Sequence, residues 1–336
     1  FVFTRARNSH PAMCAGGALS VFSVALLAHS ARSFQEGLSE PSPQAALTLD
    51  PTLGANESSS TTWLGTKMNF LSFLDELKKP TKTLGRFVTL DDISIHVITL
   101  DKRRKSVMET LRLIGLDSIA KIHRATTPKD VKAFPDITKD LLVMIDDSNP
   151  LNDNEVCCSL SHLGVYSNFL QKSNKPYVLI FEDDFFPEDY FNSSNYRNAY
   201  EFKSLLIEMI NLGNEKKPDW EALNLGRCDD NCAEGQVTQF EIPQKKLKGE
   251  NLRVISSLTP SCAHAYIMTR SGVETQLRMS TPIRFLPDQA LSAHSDLGKL
   301  KYYSVTPRLF RQKREMFGSE LVQDYGADEV NECAGM

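Results

Sequence analysis

The segment Lys175 to Phe186, KPYVLIFEDDFF, constrains the fold most, because a short apolar run ends on three adjacent carboxylates, Glu182, Asp183 and Asp184. Tyr177, Val178, Leu179, Ile180 and Phe181 are large or β-branched and are bounded by Pro176 and Pro187. The run is too short for a typical helix and reads as a buried strand. Open α/β sheets place their ligands beyond the carboxyl ends of strands. Adjacent acids repel one another, so a cation is expected among them, and hard carboxylate oxygens suit Mg²⁺, Mn²⁺ or Ca²⁺ better than zinc. The competing reading is a solvated acidic turn after a core strand. Because side chains alternate faces along a strand, Glu182 and Asp184 are expected to point together and Asp183 away.

The pattern around this strand is α/β. Ile93 to Leu100, ISIHVITL, reads as a first strand, Lys102 to Ile114 as a helix ended by Gly115, and Ala120 to Arg124 as a second strand. This β, α, β opening is the start of a parallel sheet. Glu155 to Gln171 is a helix leading into the acidic strand, and Tyr200 to Leu212 a further helix. Strands follow at Trp220 to Gly226, Leu252 to Leu258 and Ala263 to Met268; Ser271 to Met279 and Pro287 to Ala293 read as helices and Tyr302 to Val305 as a last strand.

Residues 1–31 pair Arg5, Arg7 and His10 with the apolar run Ala15 to Ala28, which fits a signal peptide or an uncleaved signal anchor. At about fourteen residues it is short for a membrane span. Residues 32–85, rich in Ser, Thr, Pro and Ala, read as a low-complexity stem, 86–316 as the folded body and 317–336 as an acidic tail. The localisation expected is the lumen of the secretory pathway, endoplasmic reticulum or Golgi, with a single-span type II anchor as one form. Seven cysteines, one inside the signal, leave an even number for disulfides. Cys228 and Cys232 are close enough in sequence to bridge, and Asn56 and Asn192 head glycosylation sequons. A net charge of −4 gives no footprint for nucleic acid.

Four segments, taken in order, resemble glycosyltransferase family 25, the lipooligosaccharide and procollagen galactosyltransferase group. They are VITLDKR (Val97 to Arg103), EVCCSLSHLGVY (Glu155 to Tyr166), PYVLIFEDD, and AHAYIMTRSGVETQL (Ala263 to Leu277). LPDQAL around Asp288 and TPRLFRQ from Thr306 to Gln312 also fall in order, so the resemblance spans about Ile93 to Gln312. Thr99, Cys157 and Ser106 depart from the family pattern, where Asn, Gly and a second Arg are usual. The resemblance implies a GT-A-like, Rossmann-type mixed sheet flanked by helices, preceded by the signal anchor and stem. It also implies a UDP-sugar donor, most often UDP-galactose, a divalent ion such as Mn²⁺ or Mg²⁺, and a glycan or protein acceptor.

On that reading Glu182, Asp184 and Asp183 are the metal candidates, with Asp183 alternatively on ribose or in a structural bond. Asp288 is the candidate general base, or else a helix cap. Leu100, Asp101, Arg103, His162 and Arg308 are candidates for the donor site, with Lys102, Arg104 and Arg311 as further cations near the diphosphate. His162 and His264 read either as site residues or as satisfied core histidines. Ser161 is expected to bond its own helix backbone, and Tyr266 to sit in the core. The alternatives are a catalytically silent transferase fold serving adhesion or secretory-pathway interaction, and a Ca²⁺-binding lectin-like module. A phosphatase is disfavoured because Phe185 and Phe186 follow the acids where a Thr is required.

Overall fold

A computed structural model describes residues 87–133, 151–188, 199–228, 237–247, 250–256 and 260–313. The signal segment, the stem, the acidic tail, Asn56, Asn192 and Cys232 lie outside the described residues. Among the described residues no helix is long and apolar enough to cross a membrane.

The strands are β1 (Ile93–Thr99), β2 (Lys121–Arg124), β3 (Tyr177–Glu182), β4 (Phe185–Pro187), β5 (Ala222–Asn224), β6 (Thr238–Leu247), β7 (Glu250–Ser256), β8 (Ala265–Thr269), β9 (Tyr302–Thr306) and β10 (Phe310–Gln312). The helices are α1 (Arg104–Leu113), α2 (Pro128–Ala133), α3 (Asp153–Lys172), α4 (Ala199–Lys216), α5 (Arg270–Met279) and α6 (Pro287–Asp296). Eight strands form one mixed sheet in the order β2-β1-β3-β8-β5-β9-β7-β6, and β4 pairs with β10 in a separate ribbon. β2, β1 and β3 are parallel, β8 runs against both β3 and β5, and β5 and β9 are parallel. The chain steps out from β1 to β2 and then returns past β1 to β3. The strand order therefore reverses between β1 and β3, which opens a crevice at their carboxyl ends.

Period-two alternation divides the core. Tyr177, Leu179 and Phe181 of β3 pack on the face holding α1 and α4, through Val107, Leu111, Leu205, Met209 and others. Val178 and Ile180 pack on the opposite face against Leu160, Leu163 and Phe169 of α3 and Val273 of α5. All seven residues of β1 are buried, as expected of a parallel strand covered on both sides. Helix ends follow local rules. The Asn152 side chain accepts from the backbone N–H of Asn154 and Glu155 while Glu155 accepts from the Asn152 N–H, starting α3 two residues before Glu155. Gly115, at φ 67°, closes α1, with Leu116 N–H donating to Leu111 O and Gly115 N–H to Arg112 O.

Three strands went unread in the sequence. β6 carries Pro243, which removes a ladder donor and argues against a central strand; the structure places β6 at the sheet edge, where Pro is tolerated. β4 and β10 are three residues each, and only their mutual pairing makes them strands.

Away from the crevice, the α3 face of β1 holds a basic cluster. His96 stacks on His123 with ring centroids 4.7 Å apart, its Nδ1 lies 2.7 Å from His123 Nε2, and Lys121 Nζ donates to Ser94 Oγ at 3.3 Å. Burial, then His123, Lys121 and Lys175, lower the His96 pKa to about 2. Burial, then Lys121 and Lys172, lower that of His123 to about 4.

Candidate active site

The carboxyl ends of β1, β3, β5 and β9 lie along one sheet edge, and antiparallel β8 begins there. Leu100 to Arg103, Glu182 to Asp184, Arg227, Cys228, Cys262 to His264 and Arg308 therefore meet at that edge although they are far apart in sequence.

The acids take separate environments. Asp183 faces the start of α1: Arg103 Nη1 donates to its Oδ1 at 2.7 Å and the Leu100 backbone N–H to its Oδ2 at 2.9 Å. The two side chains are 8% and 11% exposed, so this is a largely buried ion pair that ties the end of β3 to the turn after β1. Leu100 and Arg103, donor candidates from sequence, are thus spent in part on holding Asp183. Asp101 is exposed and pairs with Arg124 at 3.4 Å.

Glu182 continues the face of Val178 and Ile180 and meets α3, where its Oε1 lies 3.0 Å from His162 Nε2. His162 Nδ1 is 2.7 Å from the Tyr266 hydroxyl, which is 2.7 Å from that of Tyr166. In the tautomer with the proton on Nε2, Tyr266 donates to Nδ1 and Tyr166 donates to Tyr266; in the other, the direction along the tyrosines reverses. Tyr266 is wholly buried and belongs to the core as well as to this chain of hydrogen bonds. Glu182 is half-buried and Asp184 likewise, with the Asp184 carbonyl accepting from the Lys313 N–H at 2.7 Å.

Asp288 is not the cap of α6. The N-cap is Leu286, with Pro287 opening the helix, and Asp288 reaches across to another loop. Its Oδ2 accepts from the Cys262 N–H at 2.9 Å and its Oδ1 from the Gln289 N–H at 2.8 Å. Burial raises its pKa against the lowering effect of these two bonds, and the Glu182 charge raises it further.

The expected Cys228 to Cys232 bridge is corrected: Cys228 is bonded to Cys262. The reason lies in the sheet register. β5 and β8 pair Ala222 with Met268 and Asn224 with Tyr266, and carrying that register beyond the strand ends sets Cys228 opposite Cys262. The cross-link closes 34 residues of chain and contributes about 3 to 4 kcal/mol in the chain-entropy account. It also ties down the loop whose amide holds Asp288.

Arg308 forms a buried ion pair with Glu188 through its Nε. Ser161 donates to Cys157 O at 2.7 Å and accepts from the Thr126 N–H, a structural role. His264 is fully buried, its carbonyl accepts from the Glu182 N–H, and its ring fills the space a Gly226 side chain would need, since a Cβ there would meet Nε2 at 2.3 Å. Thr99 is buried and bonds the Leu100 carbonyl, and burial pushes the Cys157 thiol up to about 12. The sequence reading overlooked Cys158. It stands one turn before His162, and the i, i+4 spacing on a helix was the available signal. Burial, then the charges of Glu182, Asp288 and Asp184, hold its thiol well above the usual range, and its sulfur lies within 4.8 Å of ligand atoms of His162 and Glu182.

A large mixed sheet flanked by helices, with carboxylates gathered at the β1/β3 switch point, fits a glycosyltransferase-like fold. The model of glycosyltransferase family 25 (LPS biosynthesis protein) matches residues 92–291, well over half of the chain, so the chain belongs to that family. Membership implies a glycosyltransferase with a sugar donor and an acceptor, and suggests a nucleotide sugar as donor. No curated protein matches the chain significantly.

Proposed function

We propose that the chain is a metal-dependent, inverting hexosyltransferase of GT-A type that moves galactose from UDP-galactose to a hydroxyl of a glycan or protein. The observation that carries this reading is the division of the acidic run. Asp183 is turned into the pair with Arg103, which leaves Glu182 and Asp184 half-buried at the switch-point crevice. Two hard carboxylates there fit Mn²⁺ or Mg²⁺. When bound, such an ion neutralises the charge that builds on a departing diphosphate. Glu182 is oriented for this by His162, and His162 by Tyr266. Asp288 is the base: its two backbone bonds aim the carboxylate, and its raised pKa suits it to take the acceptor hydroxyl proton. The acceptor oxygen then bonds to the sugar C1 as the bond from C1 to the UDP oxygen breaks on the opposite face, inverting the centre.

The Cys228–Cys262 disulfide and the apolar run at 15–28 support a lumenal location in the secretory pathway, with residues 1–31 as signal or anchor and 32–85 as stem. A silent transferase fold is the second reading. It is favoured by Arg103 and Arg308, two candidate donor-site cations, each forming a largely buried ion pair with a carboxylate of the chain itself, Asp183 and Glu188. UDP release from UDP-galactose and UDP-glucose, with Mn²⁺ or with EDTA, separates the two. Metal-requiring release, faster with galactose, is expected; folded protein that releases nothing from either donor supports the silent reading.

A further inference from the structure

One cluster at the crevice is not accounted for by a hard-cation site. The ligand atoms of Cys158, His162 and Glu182 all lie within 4.8 Å of one another. Cys158 and His162 are one turn apart on α3, and Glu182 closes the set from the end of β3. A thiol and an imidazole are poor ligands for Mg²⁺ but good ones for zinc, whose catalytic and regulatory sites use three protein ligands and leave a fourth position for water. The geometry points to a binding site for a borderline divalent ion of the Zn²⁺ class on Cys158, His162 and Glu182, whose occupancy withdraws Glu182 from the hard-cation site.

The surroundings suit such an ion. His162 presents Nε2 to Glu182 at 3.0 Å while Nδ1 is held by Tyr266, the outer hydrogen bond that metal-bound imidazoles need. Ligation at Nε2 requires the proton to sit on Nδ1, and the tyrosine chain accommodates this by reversing: Nδ1–H donates to Tyr266, and Tyr266 to Tyr166. Either tyrosine oxygen can be the donor in that pair. Glu182 is partly exposed and gives an ion its way in from the crevice, whereas Cys158 is intermediate in exposure with its thiol in a buried setting, and the charges of Asp184 and Asp288 act on that thiol. On binding, the thiol proton leaves to solvent and the thiolate joins the metal. Because Glu182 serves both ions, zinc and manganese exclude each other, and the affinity order of divalent ions favours zinc.

The regulatory half of this proposal rests on the donor-site reading above; the binding half does not. Co²⁺, a spectroscopic stand-in for zinc, is titrated into the full-length protein. A thiolate-to-cobalt charge-transfer band is expected in the wild type and in Cys157→Ser. The band is expected to be lost in both Cys158→Ser and Cys158→Ala, with zinc affinity reduced at least about tenfold. Near-ultraviolet circular dichroism confirms that the variants are folded. A band that persists in both Cys158 variants, or bound cobalt without the band in wild type, overturns the site. Zinc added to manganese-loaded protein is then followed by the paramagnetic resonance signal of released Mn²⁺ and by hexosyl transfer. Release and inhibition in wild type but not in Cys158→Ser are expected, and zinc that fills the site without displacing manganese overturns the competition. If no variant binds manganese or transfers sugar, the donor-site reading fails, while the cobalt band still decides the zinc-class site.

Discussion

The acidic edge and the basic cluster on β1 bury ionisable groups in opposite ways. In the basic cluster every charged neighbour acting on His96 and His123 is a histidine or a lysine, and burial completes the effect, so both rings are neutral at physiological pH. At the acidic edge three carboxylates have separate partners: Arg103 for Asp183, His162 for Glu182, and backbone N–H groups for Asp288. The difference teaches that discarding charge is the inexpensive way to fill a core. Where charge is kept, as at the switch point, specific donors have to be built in from four different elements. Retained negative charge that is still reached by solvent is what a cation and a diphosphate require.

The sharpest way to break this comparison is Asp288→Asn, which keeps the shape and removes the carboxylate proposed as the base. Turnover is expected to fall by about 10² to 10⁴-fold with UDP affinity little changed. Steady-state transfer rates check this, and a loss below about tenfold would assign the base elsewhere. The second is Arg103→Ala, which strands Asp183 in a largely buried position. Urea unfolding is expected to show a loss of about 3 to 5 kcal/mol, whereas Arg112→Ala, removing an exposed pair with Asp117, is expected to cost less than about 1 kcal/mol. Equal losses would mean that the Asp183 pair is no more than a surface bridge.

The smallest effect belongs to the basic cluster. His96 and His123 have folded pKa values below the ordinary 6.5, so the unfolded chain takes up their protons first as pH falls. Their contribution to stability is complete above the unfolded value and is lost between about pH 6.5 and 4 for His123, continuing lower for His96. The slope approaches about 1.4 kcal/mol per pH unit per histidine. His123→Gln is expected to flatten the dependence of the unfolding midpoint on pH in that window. An unchanged slope would show that the pair is not what titrates.

Much of the scaffold was legible in the sequence because local chemistry determines it. The apolar run ending at Glu182, the helical face through Leu160, Leu163 and Leu170, and the glycine after α1 each follow from spacing or dihedral preference. Alternation along β3 also separates Asp183 from Glu182, with Arg103 on one side and His162 on the other. What could not be read are partnerships set by topology. Cys228 meets Cys262 only because β5 and β8 are neighbours in a particular register, and Arg308 meets Glu188 only because β10 pairs with β4. Asp288 shows the same limit: its place near a helix start suggested a cap, yet its carboxylate serves a loop 26 residues away. Cys158 was within reach of sequence reasoning through its spacing from His162, although the third member, Glu182, needed the sheet to bring it in.

The central claim is that Glu182 and Asp184 hold the cation through which a nucleotide diphosphate binds. Its most direct test is calorimetric titration of UDP into the full-length protein with Mn²⁺ and with EDTA, for wild type and Asp184→Ala. The account predicts binding in wild type only when Mn²⁺ is present, and none in folded Asp184→Ala under either condition. Binding that survives EDTA, or that is unchanged by Asp184→Ala, would contradict it.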